Sequence, residues 1–392
     1  MRVLFYLPVI TPWWFESIIT PLISKLYQDN EVHILAPELW QGTGLSLREV
    51  QLCAHMPDIR WHIVNDQKHP SMRTDPAERE GIISFVQSLD PDIVLCRSAD
   101  VETIKAFPGI VRHITEGAAD PLSLPSDILQ FSHSLFDHGS MPELECQQVA
   151  ALEDLIEPFW SKLLQTCVLD QAQRDYLCKW SAFPGDRPVL FLPLEYEHEE
   201  NFYTMHRIDA LSNVELLEDL AQRFGERIFF ALTNHPLNEL YVDNEPLNEA
   251  VEARSWCMRM FPQETPLGGR TTDFLIGAAD GVFLMDSKVY ALAGFHGSPI
   301  VRRSRFRTGA WLNVYDAIED FLADYETGTL QRPAQKDAKV WFAFHAANNL
   351  INLNAPQLSG ADLIERISTP VDPDRWADNF AQLSIDWPKA VP

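Results

Sequence analysis

Five short stretches of the chain carry residue types able to do transfer chemistry. Glu116 precedes Gly117 at the end of an apolar run, so a carboxylate stands beside a residue small enough to let a substrate approach. Such a group can take the proton of an attacking hydroxyl, or it can serve as a turn glutamate bonded to nearby backbone N–H groups. Between 195 and 200 the order Glu-Tyr-Glu-His-Glu-Glu places four carboxylates and a histidine at a strand end. One of them can act as nucleophile or base if it faces a cleft, and otherwise the run is a solvated acidic loop. His235-Pro236 holds an imidazole on a stiff turn, suited to a phosphate oxygen. Asp286-Ser287-Lys288 links the apolar run 281–285 to a small-residue helix expected at 289–295, and Arg302, Arg303, Arg305 and Arg307 follow. Strand, polar turn and helix in that order point free N–H groups at an anion, so 281–311 reads as a phosphate site. Its alternative is a packing helix capped by Asp286 or Ser287, with a solvated basic loop behind it.

These groups need a scaffold that brings strand ends together. Apolar runs at 2–7, 32–36, 61–64, 92–96 and 110–114 read as parallel strands, with a helix begun by Thr11-Pro12 and apolar at Phe15, Ile18, Ile19, Leu22, Ile23 and Leu26. No glycine-rich turn follows the first strand, so the N-terminal half is not expected to bind a dinucleotide. Helices are expected at 144–164 and 170–180, and the Pro/Gly link 181–187 reads as a domain boundary. Strands at 188–194, 227–232, 256–261 and 281–285 then build a second α/β unit. The division expected is 1–180 for an acceptor-binding Rossmann-like domain, 188–355 for a nucleotide-sugar domain, and 356–392 for helices crossing back to the first.

The chain has 392 residues, 31 basic and 56 acidic, and a formal net charge of −25. That field repels nucleic acid and anionic membrane, while a local arginine cluster can still invert the potential within one cleft. The six cysteines show no CxxC and no zinc spacing, which fits reduced thiols in the cytoplasm. Neither a signal peptide nor a membrane-spanning run is expected, so membrane contact would be peripheral, with Trp13-Trp14-Phe15 as its early patch. The acidic cluster has no familiar metal-ligand spacing, and no metal or cofactor is expected.

Two Rossmann-like domains facing a cleft, with a closing C-terminal helix, describe an α/β fold of GT-B architecture. Glu116-Gly117 with Pro121-Leu-Ser-Leu124, Pro193-Leu194-Glu195, His235-Pro236, Ser287 and Phe306-Arg-Thr-Gly309-Ala-Trp311 occur in the order seen in bacterial capsule-polysaccharide transferases. Over about residues 110–311 the chain resembles the retaining β-Kdo glycosyltransferases, which use CMP-Kdo, and more distantly the CMP-sialic acid transferases. The resemblance implies Glu116 as base for the acceptor hydroxyl. It implies that His235 and Ser287 contact the CMP phosphate, with Asn234, Pro236, Asp286, Lys288, Arg303 and Arg305 around them. The family places an aspartate four positions after a glutamine; here Glu195 replaces the glutamine and Glu199 falls at the aspartate, with Glu197 and Glu200 as alternatives. The longer side chain moves a carboxylate by about 1 Å, a displacement that matters in catalysis.

The implied reaction moves a Kdo-like sugar acid from a CMP-sugar to a glycan or glycolipid acceptor, with retention through a covalent carboxylate intermediate. Contact with a membrane surface or a polysaccharide assembly complex accompanies that reading. Two others compete with it: a CDP-alcohol phosphotransferase of teichoic-acid type, and a non-catalytic GT-B scaffold.

Overall fold

Val3, Leu4, Phe5 and Tyr6 are all fully buried, so the first apolar run is covered on both faces, as an interior parallel strand must be. The computed structural model describes the chain apart from residues 41, 66–77, 118–120, 123–127, 198–201, 211, 262–264, 268–269 and 384–392. Strand β1 (Arg2–Tyr6) pairs in parallel with β2 (Glu31–Pro37) and β4 (Ile93–Cys96). Outside them lie β3 (Arg60–Val64) and β5 (Ile110–Glu116), which gives the doubly wound order 3-2-1-4-5. An antiparallel strand, β6 (Ile128–Ser132), follows on β5. After β1, the Oγ1 of Thr11 accepts the Trp14 N–H at 3.3 Å and starts the first helical segment, with Pro12 in its first turn. Its expected apolar face, from Phe15 to Leu26, is buried in the first core.

The second sheet is parallel throughout: β7 (Val189–Pro193), β8 (Phe229–Thr233), β9 (Cys257–Arg259), β10 (Gly281–Leu284) and β11 (Ile300–Arg302). Their order, β11-β10-β7-β8-β9, repeats the topology of the first sheet. The reversal between β7 and β10 opens a crevice at their carboxyl ends, where open α/β sheets bind ligands. Two Rossmann-like domains face one another across a cleft, the GT-B architecture expected. No helix of the described residues is long and apolar enough to cross a membrane.

The chain passes between the domains earlier than the Pro/Gly link at 181–187. The helices Cys146–Cys167 and Gln171–Trp180, expected in the first domain, share a core with the second sheet through Leu152, Ile156, Trp160 and Leu177. Trp160 meets Phe295 edge-on at 5.1 Å and Phe342 at 5.5 Å. The preceding segment already docks on the second domain, because the His138 N–H donates to the Arg307 carbonyl at 3.1 Å and the Gly309 N–H to the His138 carbonyl at 2.8 Å. A Cβ on Gly309 would lie 2.1 Å from the Gly139 carbonyl oxygen, so only glycine permits this approach. The return crossing also begins sooner than residue 356. The helix Gln335–Phe344 runs through a π turn, His345–Asn349, into β12 (Ile351–Asn352), which pairs with β6. The helix Gly360–Ser368 then packs on the first core through Leu363 and Ile367.

Trp160 and Phe342 come from helices on either side of this crossing. Trp160→Ala is expected to cost about 3–5 kcal/mol. In a double-mutant cycle with Phe342→Ala, urea unfolding should show a coupling of about 0.5–1.5 kcal/mol, whereas strict additivity would mean that the two rings do not share a core.

Candidate active site

A cavity of about 1810 Å³ lies between the domains and is lined from both. Glu116, the last residue of β5, enters it from the first domain. Its carboxylate accepts the Trp14 indole N–H at 3.1 Å and pairs with the Lys288 ammonium at 2.7 Å and the Arg97 guanidinium at 3.6 Å. Arg97 in turn lies over the Trp14 ring at 3.5 Å. Burial works against ionisation of Glu116, but the Lys288 and Arg97 cations outweigh it and hold the carboxyl at about 2. The side chain keeps 42 % of its surface open to the cleft, so water shares in stabilising that charge.

The second domain supplies His235 after β8 and the turn 286–288 after β10. The Nδ1 of His235 accepts the Leu237 N–H at 3.2 Å, so the proton of the neutral ring is on Nε2. The ring stacks on Tyr196, with centroids 5.5 Å apart and planes 25° from parallel. Burial, and then the nearby Lys288 charge, push the imidazole below its usual pKa, so it serves as a neutral donor. Ser287 lines the cavity, and its Oγ accepts the Val289 N–H at 3.3 Å. The helix behind it is Tyr290–His296, one residue later than expected and only two turns long. The donors offered at this turn are therefore Ser287 and Lys288 more than a helix terminus. Glu116, His235, Ser287 and Lys288, expected from three separate stretches, line one cavity.

Other expected site residues are engaged elsewhere. Glu197 accepts the Asn213 N–H at 2.8 Å, capping the helix Asn213–Phe224, and lies outside the cavity lining. Asn234 is buried in an amide network: its Oδ1 accepts from the His235 N–H and Asn238, and its Nδ2 donates to Glu239 and Asn244. It positions His235 and does not face a ligand. Pro236 is exposed beyond the rim. Asp286 is buried, with its carboxylate 3.0 Å from Arg302 and accepting the Ser304 hydroxyl at 2.5 Å. Arg303 pairs with Asp219 at 3.1 Å on the far side of the sheet, and Arg305 donates to the Arg207 carbonyl at 3.4 Å; neither lines the cavity. Of the four arginines only Arg307 does, with its side chain 86 % exposed and paired with Asp137 at 3.1 Å. Glu199 and Glu200 lie outside the described residues.

Arg97 and Tyr196 carried no expected role, and Glu195 was expected only as one of the four carboxylates of 195–200, at the position of the family's glutamine. Glu195 is buried just beyond β7 at the switch point, lines the cavity, and accepts the Asp286 N–H at 2.6 Å. Burial pushes its carboxyl up to about 7, the nearby Asp286 carboxylate adds to the shift, and Arg207 at 3.9 Å and Arg302 oppose it. Its place as the first carboxylate after a buried strand was the available signal.

Because the folded pKa of Glu195 lies above the ordinary 4.5, its contribution favours folding at low pH and is lost as pH rises through about 7. Glu195→Gln cannot ionise. The variant should therefore gain stability on the parent between about pH 5 and about pH 8, by up to about 3 kcal/mol in urea unfolding. Parallel pH profiles for the two proteins would contradict this.

No protein-family model and no curated protein sequence matches the chain. Solved structures do resemble it. The β-Kdo 2,7 transferase of Thermosulfurimonas dismutans KpsC has 13 % identity and a TM-score of 0.42, covering 76 % of this chain and 87 % of that one. The β-Kdo 2,4 transferase of the same protein has 8 % identity and a TM-score of 0.41, with coverage of 87 % and 89 %. A glycosyltransferase from Rickettsia africae has 10 % identity and a TM-score of 0.32, with coverage of 94 % and 99 %. At such identities and TM-scores these likenesses assign neither family, substrate nor residue role to this chain.

Proposed function

We propose that the protein is a glycosyltransferase that moves a 2-keto sugar acid from a CMP-sugar to a hydroxyl of a glycan or glycolipid. The observation that carries the reading is the Lys288–Glu116 ion pair of 2.7 Å, which closes the cleft between the strand ends of the two domains. The donor phosphate sits among the Nε2–H of His235, the Ser287 hydroxyl and the Lys288 ammonium, which stabilise CMP as the anomeric C–O bond breaks and its electron pair leaves with the phosphate. Lys288 is then shared between phosphate and Glu116. As the phosphate takes part of that charge, Glu116 becomes more basic when an acceptor hydroxyl must give up its proton. In the retaining form a carboxylate of 199–200 bonds to the anomeric carbon as CMP departs. The acceptor oxygen then displaces that carboxylate and its proton passes to Glu116. Glu197, committed to its helix cap, is set aside as nucleophile.

The first test is CMP release from a panel of CMP-sugars in excess EDTA, with the product anomer read by NMR. Turnover of a CMP-activated sugar acid with a retained anomer is expected. An inverted anomer removes the covalent step, and a melting temperature raised by CDP-glycerol but not by CMP points to phosphotransfer instead. The second test is Lys288→Met, which removes a phosphate donor and the nearest cation to Glu116 together. A fall in kcat/KM of about 10²–10³ is expected. The acid limb of the pH profile should also move upward toward the ordinary carboxylate value of 4.5, from the parent's value of about 2. An unmoved acid limb would separate Glu116 from catalysis.

A further inference from the structure

The cavity has a second positively charged wall that the donor reading leaves unused. Arg112 lies on β5 four residues before Glu116, hence about 13 Å back along the strand and on the same face by alternation. It is only 9 % exposed yet lines the cavity, as do His133 just past β6 and Arg366 of the helix Gly360–Ser368. Arg112 donates to the carbonyls of Val111 and Ile367, both at 2.8 Å. Arg366 donates to the Leu350 carbonyl at 3.3 Å and to Asn379 Oδ1. These bonds fix both guanidinium planes but use two of the five N–H groups of each. Among the described residues neither arginine is paired with a carboxylate.

A buried cation with neutral acceptors only is costly, and most such groups carry a counter-charge. The environment bears out the excess. Burial lowers the Arg112 pKa, and Arg112 adds to the effect of burial in lowering that of His133. Burial and then Arg375 hold Arg366 down at about 10, with Asp362 one turn earlier opposing them. Two arginines without a carboxylate partner among the described residues thus share one wall of the cleft in a chain of net charge −25, a local excess of positive charge.

We propose that Arg112, Arg366 and His133 form an oxyanion subsite that holds a carboxylate or phosphate of the acceptor glycan. Naming the acceptor rests on the transferase reading; the binding of an anion there does not. The acceptor is then itself acidic, its anion on this wall and its hydroxyl directed to Glu116.

Trp13, Trp14 and Trp341 all line the cavity, so tryptophan fluorescence reports an anion bound within it, and the Arg366 and Lys288 variants say at which wall. Titration with glucuronate, inorganic phosphate and neutral glucose should give saturable quenching by an anion and none by glucose at equal concentration, with affinity falling as KCl rises. A stronger response to glucuronate assigns a carboxylate, and to phosphate a phosphate. Arg366→Gln should weaken the response at least tenfold with the CMP-induced rise in melting temperature unchanged, and Arg366→Lys should recover part of it. Because Arg112 also ties down the helix Gly360–Ser368, Arg112→Gln is read only if its melting temperature stays near the parent's. Equal anion affinity in Arg366→Gln and the parent, equal quenching by glucose, or loss of anion binding in Lys288→Met alone would each overturn the subsite. Failure to bind CMP with anion binding intact would overturn the transferase reading and leave this one standing.

Discussion

The geometry of the cleft depends on the buried Arg302 guanidinium. It is 2 % exposed and satisfied on every side: by the Met285 carbonyl at 3.1 Å, the Phe136 carbonyl at 2.8 Å, the Asp286 carboxylate at 3.0 Å and Thr308 Oγ1 at 2.6 Å. Burying a charge is tolerable only with such complete pairing, so removing any one partner leaves a large penalty. Phe136 belongs to the segment leaving the first domain, and Asp286 begins the turn that carries Ser287 and Lys288. One side chain thus ties the interdomain segment, the β10 turn and the basic loop together. His138 adds to the lock, with its Nε2 bonded to the Asp286 carbonyl at 3.0 Å and its ring stacked on Tyr290 at 4.1 Å.

With the turn held in this way, Lys288 reaches the end of β5 across the cleft. The contact is electrostatic and partly open to water, so it can be shared with an incoming anion in a way that a sealed ion pair cannot. The site therefore divides into two tiers. Arg302, Asp286, Asn234 and Glu197 are consumed in holding loops, whereas Glu116, Lys288, His235 and Ser287 keep part of their bonding capacity for a ligand. Glu195 stands between the tiers, buried like the first and lining the cavity like the second.

Much of the fold was legible in the residue pattern. Short runs rich in apolar and β-branched residues read as strands, and their alternation with amphipathic stretches implies parallel sheets and ligands at strand ends. The domain boundary was not legible, because the helix Cys146–Cys167 has one apolar face that either domain could have covered. Its choice is made by Phe295 and Phe342, more than a hundred residues later.

By itself the sequence determined which chemical groups stand at strand ends, since strand length and turn chemistry act over a few residues. Tertiary structure alone decided which of those groups are free. Glu197 is claimed by a backbone N–H 16 positions away and Arg303 by Asp219, 84 positions away, while Glu116 and Lys288, 172 positions apart, meet in the cleft. A charged side chain is committed by whatever neighbours it can reach in space, and those neighbours are set by how the sheets stack and the chain crosses between them.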